Sequence, residues 1–437
     1  MTAKPPYSVM TMGEIRDLPW NGFNAVSTFS GCGGSSTGYR MAGFKMRYAS
    51  EFVPAAQDTY RANMDPDTYL DGRDIREVTA SDLLLRAGLD VGEIDLFDGS
   101  PPCSAFSTAG KLEGGWGKVK KYSDTKQRVD DLFFEYVRLI KETQPRTFVA
   151  ENVAGLVRGV AKGYFLEILR ELKACGYQVT AKVLNAAWLG VPQVRNRLIF
   201  VGVRNDLAMA PAHPGPLPYQ YTVRDALPYI GAQYDRQLFV GGSLRAADEP
   251  SPAITTGPTR GHGAGVVTDD VRMIHDTRGS RPTFSKGDVT NTPAPPLTTQ
   301  TDHHLVTGGD PVDPETGQNL SMIGYAVYEE WKKLRPGQKS QKYFHVRRQH
   351  PDQPYDTIMA AQGDVTITGP AHWTEPRKLN LVELRALGGF PPDFVLTGTY
   401  SQRWERIGRA VPPVMMSHIA ATVRDKILMP LAEQRII

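Results

Sequence analysis

Cysteine is scarce in this sequence: Cys32, Cys103 and Cys175 are the three in a chain of 437 residues. They stand far apart and show no Cys-x-x-Cys spacing. That excludes a disulfide framework and a cysteine-held zinc site, and it agrees with a reducing cytoplasm. No metal site is expected. No run of about 18 apolar residues occurs, so no membrane-spanning helix is expected. The polar, proline-bearing stretch Met1–Trp20 lacks the apolar core of a secretory signal. No Gly-Lys-Ser/Thr follows a strand, which argues against a nucleotide phosphate loop. Neither sign of charge dominates: 50 Lys and Arg face 47 Asp and Glu, for a net charge of +3. Such a balance permits a nucleic-acid partner without requiring one.

What is present first is strand–helix alternation. Asn24–Phe29, Met46–Ser50, Ile94–Asp98, Thr147–Glu151, Val179–Asn185 and Leu198–Val203 are short and rich in apolar residues, and read as strands. Asp130–Lys141 and Tyr164–Cys175 read as amphipathic helices between them. This order predicts an α/β fold: a parallel, Rossmann-like sheet with helices on both faces and ligands at the carboxyl ends of the strands. From Pro211 the texture changes to Gly, Pro and Thr with short β-like pieces. A loose repeat appears at Pro250–Thr256, Pro293–Thr299 and Pro354–Ala360, and predicts three similar strands in one irregular sheet. Helical periodicity returns from Leu379. The expected division is an N-terminal extension (1–21), a catalytic cofactor-binding domain (22–210), an inserted smaller β-rich domain (211–377), and a segment returning to the catalytic domain (378–437).

Four motifs fall on strand ends. Phe29-Ser-Gly31-Cys-Gly33-Gly34 follows the first strand, where glycines let a backbone turn tightly against a cofactor. Glu51 ends the second strand, a common place for an acid that holds ribose hydroxyls. Asp98-Gly-Ser-Pro101-Pro102-Cys103 ends another, with two prolines fixing the direction of the thiol. Glu151-Asn152-Val153 ends the next. Neighbouring strand ends converge on one rim, so a thiol, a carboxyl group and a cofactor loop would meet there. Gln193-Val-Arg195-Asn-Arg197 precedes the last strand, and its two arginines, two apart on an extended segment, would point the same way. Taken singly, each has a bland reading: an ordinary turn, a solvated acid, a buried inert thiol, surface charge.

Together with Gly388-Gly-Phe-Pro391 and Gly408-Arg-Ala-Val-Pro-Pro413, these motifs, in this order, resemble the DNA cytosine-5 methyltransferase family over residues 22–205 and 378–425. The resemblance implies S-adenosylmethionine as cofactor, lying against Phe29, Gly31, Gly33, Glu51, Asp74, Pro102 and Leu132. Phe29 would stack on adenine, Glu51 would take the ribose hydroxyls, and Asp74 the adenine amino group. It implies Cys103 as nucleophile on carbon 6 of a flipped-out cytosine. Glu151 would hold ring nitrogen 3, and Arg195 and Arg197 would support the base and the loop after Cys103. Gly110–Arg128, rich in glycine, lysine and arginine, resembles the mobile loop that closes over DNA. The inserted domain stands where the family keeps its target-recognition domain.

Within that insertion Trp331–His350 carries Lys332, Lys333, Arg335, Lys339, Lys342, Arg347 and Arg348 and no acid. Basic residues interleaved with Trp331, Tyr343 and Phe344 suit phosphate contacts and base-edge reading in double-stranded DNA. The last motif departs from the family, which usually has asparagine where Arg409 stands. A guanidinium there would suit an extra carboxylate, which raises carboxy-S-adenosylmethionine and a carboxymethyl product as a second reading. Three rivals differ more widely: a silent DNA-binding module, an RNA methyltransferase, and a glycine-loop dehydrogenase in which Pro-Pro-Cys and Glu-Asn-Val have no role. The expected setting is a cytoplasmic, nucleoid-associated monomer, with a cognate restriction endonuclease acting separately.

Overall fold

A computed structural model describes residues 4–102, 120–122, 125–127, 131–159, 161–227, 311–343, 346–363 and 370–434. Cys103, the rest of the Gly110–Arg128 stretch, Phe344 and the first two repeats lie outside the described residues. So does 228–310, the larger part of the expected insertion.

Seven strands build one sheet: β1 (Asn24–Thr28), β2 (Lys45–Ser50), β3 (Tyr69–Asp71), β4 (Leu96–Gly99), β5 (Thr147–Val153), β6 (Tyr177–Asn185) and β7 (Asn196–Arg204). Their order is β3-β2-β1-β4-β5-β7-β6. The sheet is mixed, not all-parallel as expected, because β7 runs antiparallel to both neighbours. The reason is the short link, residues 186–195, which holds a single 3-10 turn and no crossover helix. A parallel return needs a dozen residues or more, usually as a helix. The edge strand β3 carries no sequence signal of its own, being three residues long with tyrosine and aspartate in it.

Alternation along the strands splits the core into two layers, as the two-residue period of a strand requires. Val26, Tyr48, Phe97, Phe148 and Phe200 face one side. There they pack on helices α4 (Ala80–Ala87), α5 (Leu132–Thr143) and α6 (Ala161–Ala174). Ala25, Met46, Leu96, Val149 and Val201 face the other, against Tyr39 of α2 (Gly34–Met41) and the helix Pro413–Val423. That last helix supplies Met415, Met416, Ile419, Ala420 and Val423, and the chain beyond it adds Ile427 and Leu428. Each fully buried side chain of this size stabilises by about 1.5–3 kcal/mol. The segment from Pro413 onward therefore covers this face of the sheet together with α2.

A third core joins the chain ends. Met12 and Ile15 of α1 (Met12–Asp17) pack with Leu381, Leu384, Leu387, Tyr400 and Trp404. Tyr7 Oη donates to Ala386 O at 2.9 Å, and Met12 N donates to Asp393 Oδ1 at 2.7 Å. The expected N-terminal extension is thus built into the fold. The third repeat is also not the strand expected: Pro354–Ala360 forms an isolated parallel bridge between Tyr355 and Gln193 and no strand. Its main chain is bonded to Pro192 and Val194 instead. Among the described residues no helix is long and apolar enough to cross a membrane.

Candidate active site

The carboxyl ends of β1, β2, β4 and β5, and the turn after β3, carry Phe29, Glu51, Pro102, Glu151 and Asp74, so the topology brings five of the expected site residues to one rim. The loop after β1 is unusual backbone. Phe29 has φ 54°, Gly31 has φ 55° and Gly33 has φ 92°. A bulky side chain in the left-handed region is rare, and such strain costs of order 1–3 kcal/mol and clusters at ligand-holding sites.

Glu51 anchors that loop. Its Oε2 accepts Gly31 N–H at 2.8 Å and its Oε1 accepts Val53 N–H at 2.7 Å. Val53 caps α3 (Pro54–Asn63), so one carboxylate ties the glycine loop to a helix start. Burial pushes the Glu51 carboxyl up, opposed by those two amides and by Arg406 and Arg409. Asp74 caps a 3-10 turn through Arg76 N–H, and Arg76 Nη1 lies 3.0 Å from its Oδ2. Leu132 opens α5 and is buried against this rim's core.

Glu151 is buried, with Arg197 Nε 2.6 Å from its Oε1. Burial raises its carboxyl above the usual carboxylate range, against the pull of Arg197 and Arg195. Asn152 donates from Nδ2 to Pro101 O at 3.2 Å. The Glu-Asn-Val motif thereby grips the Pro-Pro turn two residues before Cys103. The two arginines do not act alike: Arg195 Nη1 and Nη2 donate to Ile358 O and Gly408 O, at 2.9 and 2.8 Å.

Asp98 opens the Pro-Pro-Cys motif, yet the pattern alone assigns it no role. At the end of β4 its Oδ2 accepts Ser27 Oγ–H at 2.7 Å and its Oδ1 accepts Tyr39 Oη–H at 2.9 Å. Burial pushes its carboxyl up to about 7 despite those donors, and the charge of Glu151 adds to the rise. The folded value exceeds the unfolded one, so this group's stability is full below the unfolded value of about 4 and is lost as pH rises towards 7. Asp98→Asn has no such slope. Chemical denaturation at about pH 5 and about pH 8 should show the variant gaining on the parent protein at the higher pH. A gap that does not move with pH would contradict this account.

The basic stretch is divided. Arg335 and Lys342 are exposed, while Lys332 lies 2.8 Å from Glu329 and Lys333 lies 3.5 Å from Glu330. Arg347 lies 2.6 Å from Asp356. Arg348 is built into the fold: it sits 4.3 Å over the buried Trp331 ring and donates to Trp373 O and Leu334 O. Neither Arg348 nor Trp331 is presented to a ligand as expected. Lys339 is exposed, and its main chain forms an isolated antiparallel bridge with that of Arg347. Arg409, at the end of the helix Tyr400–Arg409, donates from Nε to Glu405 Oε1 at 2.7 Å. No cluster of His, Cys, Asp and Glu able to hold a metal occurs among the described residues.

Comparison with known proteins shows the family. The model of the C-5 cytosine-specific DNA methylase family matches residues 23–425. A Type II methyltransferase of Haemophilus parahaemolyticus, M1.HphI, is 30% identical over 403 residues, spanning 91% of this chain and 86% of that protein. M.NgoFVII of Neisseria gonorrhoeae, another Type II methyltransferase, is 28% identical over 400 residues, 91% of this chain and 85% of that one. A structure described as a DNA modification methyltransferase encoded within an E. coli prophage superposes with a TM-score of 0.59 at 21% identity. It covers 94% of this chain and 99% of its own. With the S. pombe Dnmt2 methyltransferase the TM-score is 0.50 at 12% identity, over 92% and 98% of the two chains. The strand-end motifs, the sheet that carries them and the match along nearly the whole sequence lead to one assignment: this chain belongs to the C-5 cytosine-specific DNA methylase family.

Proposed function

We propose that the protein transfers a methyl group from S-adenosylmethionine to carbon 5 of a flipped-out cytosine within a specific duplex sequence, through a covalent Cys103 adduct. The observation that carries this reading is Glu151: a buried carboxyl pushed towards its protonated form, held by Arg197, on the strand whose next residue grips the turn before Cys103. Carbon 5 of cytosine is too weak a nucleophile to act unaided. Addition of the Cys103 thiolate to carbon 6 makes the ring enamine-like, and Glu151 holds ring nitrogen 3 as negative charge gathers there. With the donor bound, carbon 5 would take its methyl group as the S–C bond breaks and the sulfonium becomes a neutral thioether; carbon 5 then loses its proton to a base, and the thiolate is expelled. The base has to leave its stack first.

The residues fit the cofactor. Phe29 and the left-handed glycine loop offer a ring and close backbone approach, and Glu51 has acceptor capacity beyond its two amide bonds. S-adenosylmethionine supplies an electrophilic sulfonium methyl when bound. Glu51 would take the ribose hydroxyls, Asp74 the adenine amino group, and Pro102 and Leu132 would flank the ring. Residues 22–210 and 378–437 form the catalytic unit in this reading. Residues 211–377 form the target-recognition unit, with Lys332, Lys333, Arg335, Lys339, Lys342 and Arg347 offered to DNA. The enzyme would act as a monomer that protects a sequence from a separate restriction endonuclease.

Arg409 supports a second reading, because its charge reaches Glu51 on the cofactor rim. A carboxylated S-adenosylmethionine would pair with it and yield a carboxymethylated base. One experiment tests both. Duplex DNA is incubated with each donor, its nucleosides are weighed, and the modified motif is located by sequencing. The expected product is 5-methylcytosine with the plain donor. No modified cytosine from either donor overturns the function. A plain-donor preference that Arg409→Asn leaves unchanged removes the second reading.

A further inference from the structure

The segment 192–197 faces two ways. At its far end Arg197 holds Glu151. Its near end is bonded to the third repeat. Tyr355 N donates to Pro192 O at 2.8 Å and Val194 N donates to Tyr355 O at 2.7 Å. Thr357 Oγ1 donates to Val194 O at 2.5 Å, and Ile358 N donates to Gln193 Oε1 at 3.3 Å.

Arg195 closes this seam. It is 1% exposed, and its two terminal nitrogens end on main-chain carbonyls, Ile358 O and Gly408 O. Its Nε has no hydrogen-bond partner among the described residues. A buried cation is costly, and one whose hydrogen bonds end on two carbonyls is sensitive to where those carbonyls stand, besides feeling the nearby Glu151 carboxyl. The repeat also packs closely on Gly408: a Cβ added there would lie 2.5 Å from Ala360 N. Trp404 Nε1 also donates to Met359 O at 2.9 Å, fixing the repeat against the helix Tyr400–Arg409. On its other side the repeat meets the basic stretch. Asp356 accepts Arg347 Nη1 at 2.6 Å and Gln349 Nε2 at 3.1 Å. An unbroken line of bonded groups thus runs from Arg347 through Asp356 and Ile358 to Arg195, and two residues on to Arg197 and Glu151.

We infer that Arg195 is a positioning residue: it seats Arg197 and Glu151 according to how the Tyr355–Ile358 segment is held, so that DNA engaging the basic stretch sets the catalytic carboxyl. This rests on the proposed roles of Glu151 and of the Trp331–His350 stretch. Its consequence is that sequence discrimination resides partly in the rate of methyl transfer and not only in binding.

The test uses the full chain with duplexes that hold the modified motif or a one-base variant of it. Arg195→Lys, and Thr357→Val as a milder change, are compared with the parent protein in single-turnover rate, duplex Kd and pH profile. Loss of one seam hydrogen bond predicts a rate on the true motif lowered about five- to tenfold. Duplex Kd should stay within about twofold, the ratio of rates between the two duplexes should shrink, and the alkaline limb of the profile should move. An equal loss on both duplexes with an unmoved limb overturns the inference and leaves Arg195 a structural residue. If Arg195→Lys does not fold, Thr357→Val decides alone. Full activity in Glu151→Gln would instead sink the reading beneath it.

Discussion

Cys103→Ser is expected to lose at least about a thousandfold in methyl transfer while binding duplex DNA as the parent protein does, since removing a nucleophile disables the whole chemical cycle. The hydroxyl of serine stays protonated near neutral pH and its oxygen adds poorly to an activated double bond, whereas a thiolate does so readily. The turn before Cys103 is held by Asn152 Nδ2 on Pro101 O, a contact that the substitution does not touch. A duplex with 5-fluorocytosine at the target gives the matching positive result. Fluorine cannot leave carbon 5 as a proton does, and the parent protein should remain covalently joined to the strand in a denaturing gel. Turnover that survives in the serine variant, or a trapped adduct formed by it, would refute the covalent mechanism.

Glu151→Gln is the second large effect, with an expected loss of about a hundred- to ten-thousandfold in single-turnover rate, the range for a positioned acid. The amide can still donate a hydrogen bond to ring nitrogen 3 but has no proton to yield. The pH dependence has a definite sign. Burial raises the carboxyl of Glu151, so its protonated form persists to higher pH than an exposed glutamate would allow. A step that needs that form slows as pH rises through the raised value, and the glutamine variant should lack this alkaline limb. A variant with parental rate and an intact limb would show that another group does the work.

The placement of the candidate site residues at the strand ends is legible without the fold, because each motif joins a residue type to a position that a sheet must create. Glycines after β1, an acid after β2, prolines before a thiol after β4 and an acid at the end of β5 all fall on the rim once strands run parallel. The antiparallel β7 is also legible in principle, from the lack of a helix between Asn185 and Asn196. The partners of the arginines are not. Arg195 and Arg197 sit two apart, yet one meets Ile358 O and Gly408 O and the other Glu151. Those partners are far away in sequence, and no local pattern encodes them. Asp98 is hidden for a related reason: its environment of Ser27 and Tyr39 exists only after β1, β4 and α2 pack. Arg348 reads as surface charge in a basic run, and only the fold reveals it lying over Trp331.

The roof formed by Pro413–Val423 has a consequence for biosynthesis. Chains emerge from the ribosome amino end first, and units tend to fold as they emerge. Here Ala25, Met46 and Val149 are made early, yet Met415, Met416 and Ile419, which cover them, are translated only after the whole stretch 211–377 has been made. Until then one apolar face of the nascent sheet is bare and prone to stick to other chains. A ribosome that stalls between residues 211 and 377 leaves a sticky half-protein behind, because the covering helix does not yet exist.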